Sequence, residues 1–134
     1  MFNKVCIIGC GLIGSSIARA IRKNHLSSKI VSSNRSDSVN KKVIELKIVD
    51  DSSSDTKKMA EGSDLIIIAA PLSSYGNIIS KIKNSLKSGT ILTDVGSVKE
   101  GVISLIEKDV PENVSWISSH PIAGTEESGP EAGF

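Results

Sequence analysis

Three glycines near the start of the chain have the spacing of a site that holds the phosphates of a dinucleotide. Gly9, Gly11 and Gly14 follow a short apolar run, and a helical pattern begins directly after them. In this setting the first glycine permits a tight turn, the second lets a pyrophosphate approach the backbone, and the third lets the helix lie close on the strand. The N–H groups of the first helical residues, Leu12 and Ile13, are expected to face the phosphates. The alternative is a chance cluster of glycines in an ordinary strand-to-helix loop.

The residues expected at the end of the second strand indicate which dinucleotide is bound. Sites for NAD carry an Asp or Glu about 20 residues after the glycines, where it accepts hydrogen bonds from ribose hydroxyls. This chain has Asn34, Arg35 and Ser36 there instead. No carboxylate would repel a 2′-phosphate, and Arg35 could pair with one, so we expect NADP rather than NAD. In the alternative, Arg35 points into solvent while Asn34 or Asp37 contacts the ribose of NAD.

Two polar segments late in the chain carry the other candidate residues. Residues 94–99 (DVGSVK) follow one predicted strand, and residues 119–129 (SHPIAGTEESG) follow another. His120 suits proton transfer because the unperturbed pKa of imidazole is about 6.5. Ser97, at the start of a predicted helix, could hydrogen-bond the same substrate group or the imidazole. Without the surrounding motif, His120 would be better explained as a loop residue bonded to backbone, and Ser97 as a helix cap.

Alternating strand and helix patterns position these segments. The strand patterns are residues 5–8, 29–33, 48–49, 65–70, 90–95 and 114–118. The helical patterns are residues 12–24, 36–46, 55–59, 78–86 and 98–110. Ser36 or Asp37 is the expected cap of the second helix and Asp55 that of the third, and the polar residues 50–55 are expected to form a loop. The apolar face of the fourth helix includes Ile78, Ile79 and Ile82. Such repeats predict one Rossmann-type α/β domain over residues 1–134, with a doubly wound parallel sheet in the order 3-2-1-4-5-6. Ligands bind at the carboxyl ends of such strands, so Ala70 and Pro71, after the fourth strand, join the expected cofactor site.

Composition excludes several other classes of protein. Hydrophobic residues make up 39% of the 134 residues and aromatics only 3%, so the core is built from aliphatic side chains, as in a sheet buried on both faces. A net charge of +1 gives no electrostatic reason to expect nucleic acid or an anionic membrane as partner. The first strand begins too early to leave room for a signal peptide. The two cysteines, Cys6 and Cys10, suggest neither a disulfide framework nor a metal site, and we expect a cytoplasmic location.

Taken together, the motifs resemble those of the prephenate/arogenate dehydrogenase family. The resemblance covers the whole chain and rests mainly on residues 120–126 (HPIAGTE), with support from DVGSVK, the alanines before Pro71 and the glycine turn. It implies NAD(P)-dependent oxidation and decarboxylation of a cyclohexadienol, prephenate or arogenate, on the way to tyrosine. It also implies that His120 is the catalytic base or hydrogen-bond acceptor and Ser97 its partner at the substrate hydroxyl. Thr125 and Glu126 would line the substrate pocket, although Glu126 could equally be a solvated surface charge.

The chain departs from the family pattern in its length. Members of the family normally continue into further strands and a helical domain that dimerises and supplies an arginine for a substrate carboxylate. The sequence ends at Phe134, so we expect an incomplete Rossmann domain, with a homodimer only if the helical domain is present. The alternatives are a nucleotide-binding fragment without catalysis and another NADP-dependent reductase of the same fold, such as an imine or β-hydroxyacid reductase.

Overall fold

Six parallel strands form the centre of the structure, a computed structural model that describes residues 2–94 and 114–117. The strands are β1 (Phe2–Ile8), β2 (Ser27–Ser33), β3 (Asp51–Ser53), β4 (Leu65–Ile68), β5 (Ile91–Asp94) and β6 (Ser115–Ile117). Their order across the sheet is β3-β2-β1-β4-β5-β6, and every neighbouring pair is parallel. The predicted Rossmann-type topology is therefore confirmed.

Four α-helices and one short 3₁₀ helix connect the described strands. They are α1 (Leu12–Lys23), α2 (Asp37–Glu45), α3 (Thr56–Ala60), the 3₁₀ turn Leu72–Ser74 and α4 (Tyr75–Ile82). The Ser36 hydroxyl, one of the two predicted caps, accepts a hydrogen bond from the backbone N–H of Val39 and caps α2. The Asp55 carboxylate accepts from the N–H of Lys58 and caps α3, also as predicted. No helix in this part of the chain is long and apolar enough to cross a membrane.

Alternate side chains of β1 enter two separate hydrophobic cores. Val5 and Ile7 pack on one face of the sheet, where α1 and α2 supply residues such as Ile17 and Val43. The side chains of Cys6 and Ile8 enter the other core, to which α3 and α4 contribute Met59, Ile78, Ile79 and Ile82. Both faces of β1 are therefore dry, as expected for a parallel sheet covered by helices on each side.

The third strand lies outside its predicted range. Ile48 and Val49 are buried but precede β3, which falls within the polar run that was expected to be a loop. A polar residue is accepted in this strand because the buried Ser52 hydroxyl lies 2.6 Å from the hydroxyl of Ser32 and donates to Asn40 Oδ1, also at 2.6 Å. The prediction that residues 48–49 form the third strand was wrong. The polar partners that allow Ser52 to lie in a strand are distant in sequence, so no local pattern indicates them.

Other element boundaries differ from the predictions by a few residues. β4 ends at Ile68 rather than residue 70, and α4 ends at Ile82, although Leu86 still packs against the core. Ile44 and Leu46, two of the apolar residues in the second helical pattern, are 38% and 54% exposed. The predicted helix over residues 98–110 lies outside the described residues.

One carboxylate joins three chain segments at the end of the sheet opposite the carboxyl ends of the strands. Asp64 accepts hydrogen bonds from the backbone N–H groups of Asn3 and Lys4, at 2.6 and 3.0 Å, and pairs with the ammonium group of Lys87. The Lys87 hydrogen bond, with the two backbone N–H groups, lowers the pKa of Asp64 to about 2. Because an Asp in an unfolded chain titrates near 3.9, ionised Asp64 stabilises the fold above about pH 4, and this contribution disappears as the pH falls towards 2.

We therefore expect D64N to unfold at a lower urea concentration than the wild type at neutral pH. The difference should shrink as the pH falls towards about 2, where the wild-type carboxyl is itself neutral. Urea titrations at a series of pH values measure this. E45Q, which removes an exposed charge at the end of α2, should follow the wild type throughout. A gap between D64N and the wild type that is independent of pH would contradict the assignment.

Candidate dinucleotide site

A cavity of about 400 Å³ opens where β1, β2 and β4 end. β2 and β3 lie on one side of β1, and β4 to β6 lie on the other, so the strand order reverses between β1 and β4, which is the place where doubly wound sheets bind ligands. Of the ten predicted cofactor residues, seven line the cavity: Gly9, Gly11, Asn34, Arg35, Ser36, Ala70 and Pro71. The rest of the lining is Ile8, Ser33, Val39, Ser54, Thr56, Ala69, Ser74, Asn77, Ile78 and Lys81.

The three glycines of the turn meet three different constraints. Gly9 has a φ of +89°, and a Cβ there would lie 3.0 Å from the backbone of Ala70. At Gly14 a Cβ would lie 2.5 Å from the carbonyl oxygen of Gly9, so any side chain would push α1 off β1. A Cβ at Gly11 would meet no atom within 4 Å, and this residue lines the cavity. The first and third glycines are therefore required by the fold, whereas the second keeps open the space where a ligand would lie.

The N-terminus of α1 begins at this cavity with its backbone donors uncovered. Gly11 is the N-cap and provides no side-chain hydrogen bond, and the first turn of the helix contains no acidic residue. The first N–H groups of a helix have no carbonyl partner within it, and they carry the positive end of the helix dipole. The side chains of Leu12 and Ile13 are 88% and 49% exposed and do not fill the cavity. The arrangement fits an anion such as a pyrophosphate.

Asn34 is held by the protein on both sides of its amide. Its Oδ1 accepts a hydrogen bond from the N–H of Cys10, in the glycine turn. Its Nδ2 donates to Asn40 Oδ1 at 2.9 Å and lies 3.3 Å from the Ser52 hydroxyl. In return, Asn40 Nδ2 donates to the Asn34 carbonyl at 3.1 Å. The side chain thus joins the glycine turn to α2 and β3, and a contact between Asn34 and a cofactor stays a prediction.

Among the described residues that line the cavity, both ionisable side chains are cations. They are Arg35, which follows β2, and Lys81, near the end of α4; this part of the lining contains no Asp or Glu. Arg35 is exposed and makes no hydrogen bond or ion pair with any residue of the described ranges. Asp37, the alternative ribose contact, does not line the cavity. The electrostatic character of the cavity therefore favours an anionic ligand.

Sequence reasoning did not assign Asn77, Ile78 or Lys81, on the cavity wall formed by α4, to the cofactor site. The wall consists of residues at helical spacings of three, four and seven: Ser74, Asn77, Ile78 and Lys81. The apolar pattern of this helix identified Ile78, Ile79 and Ile82 as core residues, and the polar positions beside them could have marked the face next to the cavity.

Three other reactive side chains in or next to the strands and helices of the site, Cys6, Cys10 and Tyr75, are buried. Burial raises the pKa of the Cys6 thiol to about 12 and also raises the pKa of Cys10, so neither is a thiolate at neutral pH. The Tyr75 hydroxyl lies 3.4 Å from Asp94 Oδ2, and burial, with that carboxylate, raises the pKa of the phenol. Within residues 2–94 and 114–117, no group of three His, Cys, Asp or Glu side chains is arranged to hold a metal ion.

The predicted catalytic and substrate residues are Ser97, His120, Thr125 and Glu126, and all four lie outside the described residues. The strands that precede them end at Asp94 and Ile117, and their carboxyl ends lie at the same end of the sheet as the cavity. Their roles stay predictions.

The turn geometry predicts opposite consequences for two glycine substitutions. G14A should lower the free energy of unfolding by about 1–3 kcal/mol, because its methyl group overlaps the Gly9 carbonyl. G11A should lower the free energy of unfolding by no more than about 1 kcal/mol, since its methyl group meets open space and the remaining cost is that of alanine as a poorer N-cap than glycine. G11A should nevertheless lose most of its affinity for nicotinamide dinucleotides. Thermal unfolding and binding calorimetry on both variants test this, and a G11A that binds like the wild type would contradict a phosphate position at Gly11.

Comparisons with known proteins identify the family. Residues 17–134 match the family model described as prephenate dehydrogenase, nucleotide-binding domain. Cyclohexadienyl dehydrogenase of Zymomonas mobilis is 34% identical over the whole chain, which covers 45% of that protein. Prephenate dehydrogenase of Lactococcus lactis is 37% identical over 95% of the chain and 36% of its own length. Among solved structures, prephenate dehydrogenase of Aquifex aeolicus in complex with hydroxyphenyl propionate and NAD⁺ superimposes with a TM-score of 0.81 and 25% identity, over 95% of this chain and 44% of that one.

The chain therefore spans less than half the length of these relatives. The part that it shares with them contains the glycine turn, the parallel sheet and the cavity at the ends of the strands. The match does not favour an assignment to another group of NADP-dependent reductases. The chain belongs to the prephenate dehydrogenase family, in which it corresponds to the nucleotide-binding domain.

Proposed function

We propose that this chain is the cofactor-binding part of a prephenate or arogenate dehydrogenase, an enzyme of tyrosine biosynthesis that oxidises and decarboxylates a cyclohexadienol. The observation that carries the proposal is the glycine turn, in which Gly14 lets α1 approach β1 while Gly11 leaves open space at the cavity. The family match and the NAD⁺ bound in the Aquifex relative support it. The proposal takes residues 1–134 as a Rossmann domain, with homodimerisation only where a further helical domain is present.

The proposed cofactor is NADP rather than NAD. Three features of the cavity support this choice. The described part of its lining has no carboxylate, Arg35 has no partner within the described ranges, and Asn34 stands where NAD sites carry an acid. A guanidinium group can pair with a phosphate through two hydrogen bonds and can stack on adenine. Arg35 would therefore contact the 2′-phosphate, with Ser36 beside it, while Gly9, Gly11 and the first turn of α1 hold the pyrophosphate.

The proposed reaction requires the protein to hold the cofactor next to the substrate ring and to provide one group that accepts a proton. A bound nicotinamide would supply the acceptor for the hydride of the ring carbon that carries the substrate hydroxyl. In the proposal His120 takes up the hydroxyl proton as that carbon becomes a carbonyl centre, and Ser97 hydrogen-bonds the same hydroxyl or orients the imidazole. Loss of carbon dioxide then makes the ring aromatic, so no strong acid or metal ion is required. Thr125 and Glu126 are proposed to line the substrate pocket, as the family resemblance implies.

A cytoplasmic location is part of the same proposal. The thiols of Cys6 and Cys10 are both free and buried, which suits a reducing compartment. The proposed partner is a small molecule, prephenate or arogenate, and no nucleic acid or membrane is included.

Arg35 provides the test of cofactor choice. R35A should weaken the binding of NADP⁺ by about tenfold, the effect of losing a charge-assisted contact, and should leave NAD⁺ binding within about twofold. Calorimetric titration of both nucleotides measures this, with R19A as the control because Arg19 is an exposed cation of α1 outside the cavity. Tighter binding of NAD⁺ than NADP⁺ by the wild type, together with an unchanged R35A, would contradict the NADP proposal.

His120 provides the test of catalysis. H120N should reduce the rate of nicotinamide reduction with prephenate or arogenate by about 10²- to 10⁴-fold, the range expected for loss of a general base, while the Kd of the cofactor stays unchanged. H25N is a matched control because His25, the other histidine of the chain, lies exposed in a turn with a φ of 52° that asparagine tolerates. If the wild type binds the nucleotide but reduces none with either substrate, the chain is a binding module without catalysis.

A further inference from the structure

The cavity has two walls that come from different sides of the glycine turn. β1 lies between β2 and β4 in the sheet, so the loops after these two strands approach the turn from opposite sides. Arg35 and Ser36 follow β2 on the first side. On the second side, one face of α4 presents Ser74, Asn77 and Lys81, which stand at successive helical turns.

Each wall contributes one cation, and the described residues offer neither of them an anionic partner. Lys81 is exposed and makes no hydrogen bond or ion pair within residues 2–94 and 114–117, as is also true of Arg35. Two cations that share a cavity whose described lining contains no acidic residue repel each other unless an anion lies between them. The pyrophosphate has its own donors at the N-terminus of α1. The pair of side chains is therefore available to a second anionic group of the ligand.

We propose that Lys81 is a specificity-determining residue that contacts the 2′-phosphate of NADP from the wall opposite Arg35. This inference rests on the proposed function, because it needs a dinucleotide in the cavity. The two side chains would act differently: the guanidinium group of Arg35 binds phosphate oxygens in a fixed geometry, whereas the ammonium group of Lys81 is a point charge on a flexible stem. Together they balance a phosphate group that carries close to two negative charges.

The experiment compares K81M with a matched lysine variant. Methionine keeps most of the length of the lysine stem and removes its charge. K57M is the control because Lys57 is exposed on α3, a helix that packs near α4, and does not line the cavity. Wild type and both variants, each as the full 134-residue chain, are titrated by calorimetry with NADP⁺, NAD⁺ and 2′,5′-ADP. Thermal unfolding midpoints show that the folds are equivalent.

K81M should weaken the binding of NADP⁺ and 2′,5′-ADP by about fivefold to tenfold and leave NAD⁺ within about twofold, as expected for one partly solvated charge contact. K57M should match the wild type with all three nucleotides. An unchanged NADP⁺ affinity in K81M overturns the inference, and so does an equal loss for NAD⁺, which would place Lys81 at a part that both cofactors share. In either case the proposed function stands if the wild type still prefers NADP⁺ and R35A removes that preference. Wild type that binds neither dinucleotide would refute the proposed function itself.

Discussion

The close contact between α1 and the end of β1 fixes the position of the dinucleotide site. The backbone of Gly14 lies so close to the Gly9 carbonyl that a side chain of a single carbon would overlap it. This approach sets the first turn of α1 directly above the carboxyl end of β1, and Gly11 is left with open space beside it. A helix shifted outward by one methyl group would carry its backbone donors away from the cavity. The positive end of the helix and the cavity are therefore products of the same contact.

A second constraint acts on the turn from the side of β2. The amide of Asn34 accepts a hydrogen bond from the Cys10 N–H and passes its own hydrogens to acceptors on α2 and β3. The hydroxyls of Ser52 and Ser32, which bond to each other, belong to the same hydrogen-bonded group. The side chains buried around β2 and β3, next to the cavity, are therefore polar. Buried polar groups of this kind stabilise a fold only when all their partners are present, and they hold one arrangement in preference to others. The glycine turn is thus fixed by packing on one side and by hydrogen bonds on the other.

Local patterns in the sequence were enough to predict the strand order, the two helix caps and the glycine turn. Each depends on neighbouring residues: an apolar run, a serine or aspartate before a helix, glycines at fixed spacing. The third strand was not predicted, because Ser52 belongs in a strand only through Ser32 and Asn40, which are its neighbours in space. The engagement of Asn34 with Cys10 and the presence of Lys81 in the cavity depend in the same way on tertiary structure. Periodicity can assign a residue to a helix face but cannot show which cavity that face borders.

The hydrogen bonds of Asn34 also restrict how the protein could exchange one dinucleotide for another during evolution. An aspartate at this position, the usual residue of NAD sites, would present a second acceptor to Asn40 Oδ1 where an N–H now donates. If the Asn40 amide rotated by 180° so that its Nδ2 could donate to the aspartate, its Oδ1 would instead face the backbone carbonyl of residue 34. Asn40 Nδ2 now donates a hydrogen bond to that carbonyl. Either arrangement leaves an unmatched acceptor in a half-buried group, at a cost of about 1–3 kcal/mol. The hydrogen bonds between residues 34 and 40 therefore disfavour an aspartate at position 34 as long as Asn40 is retained.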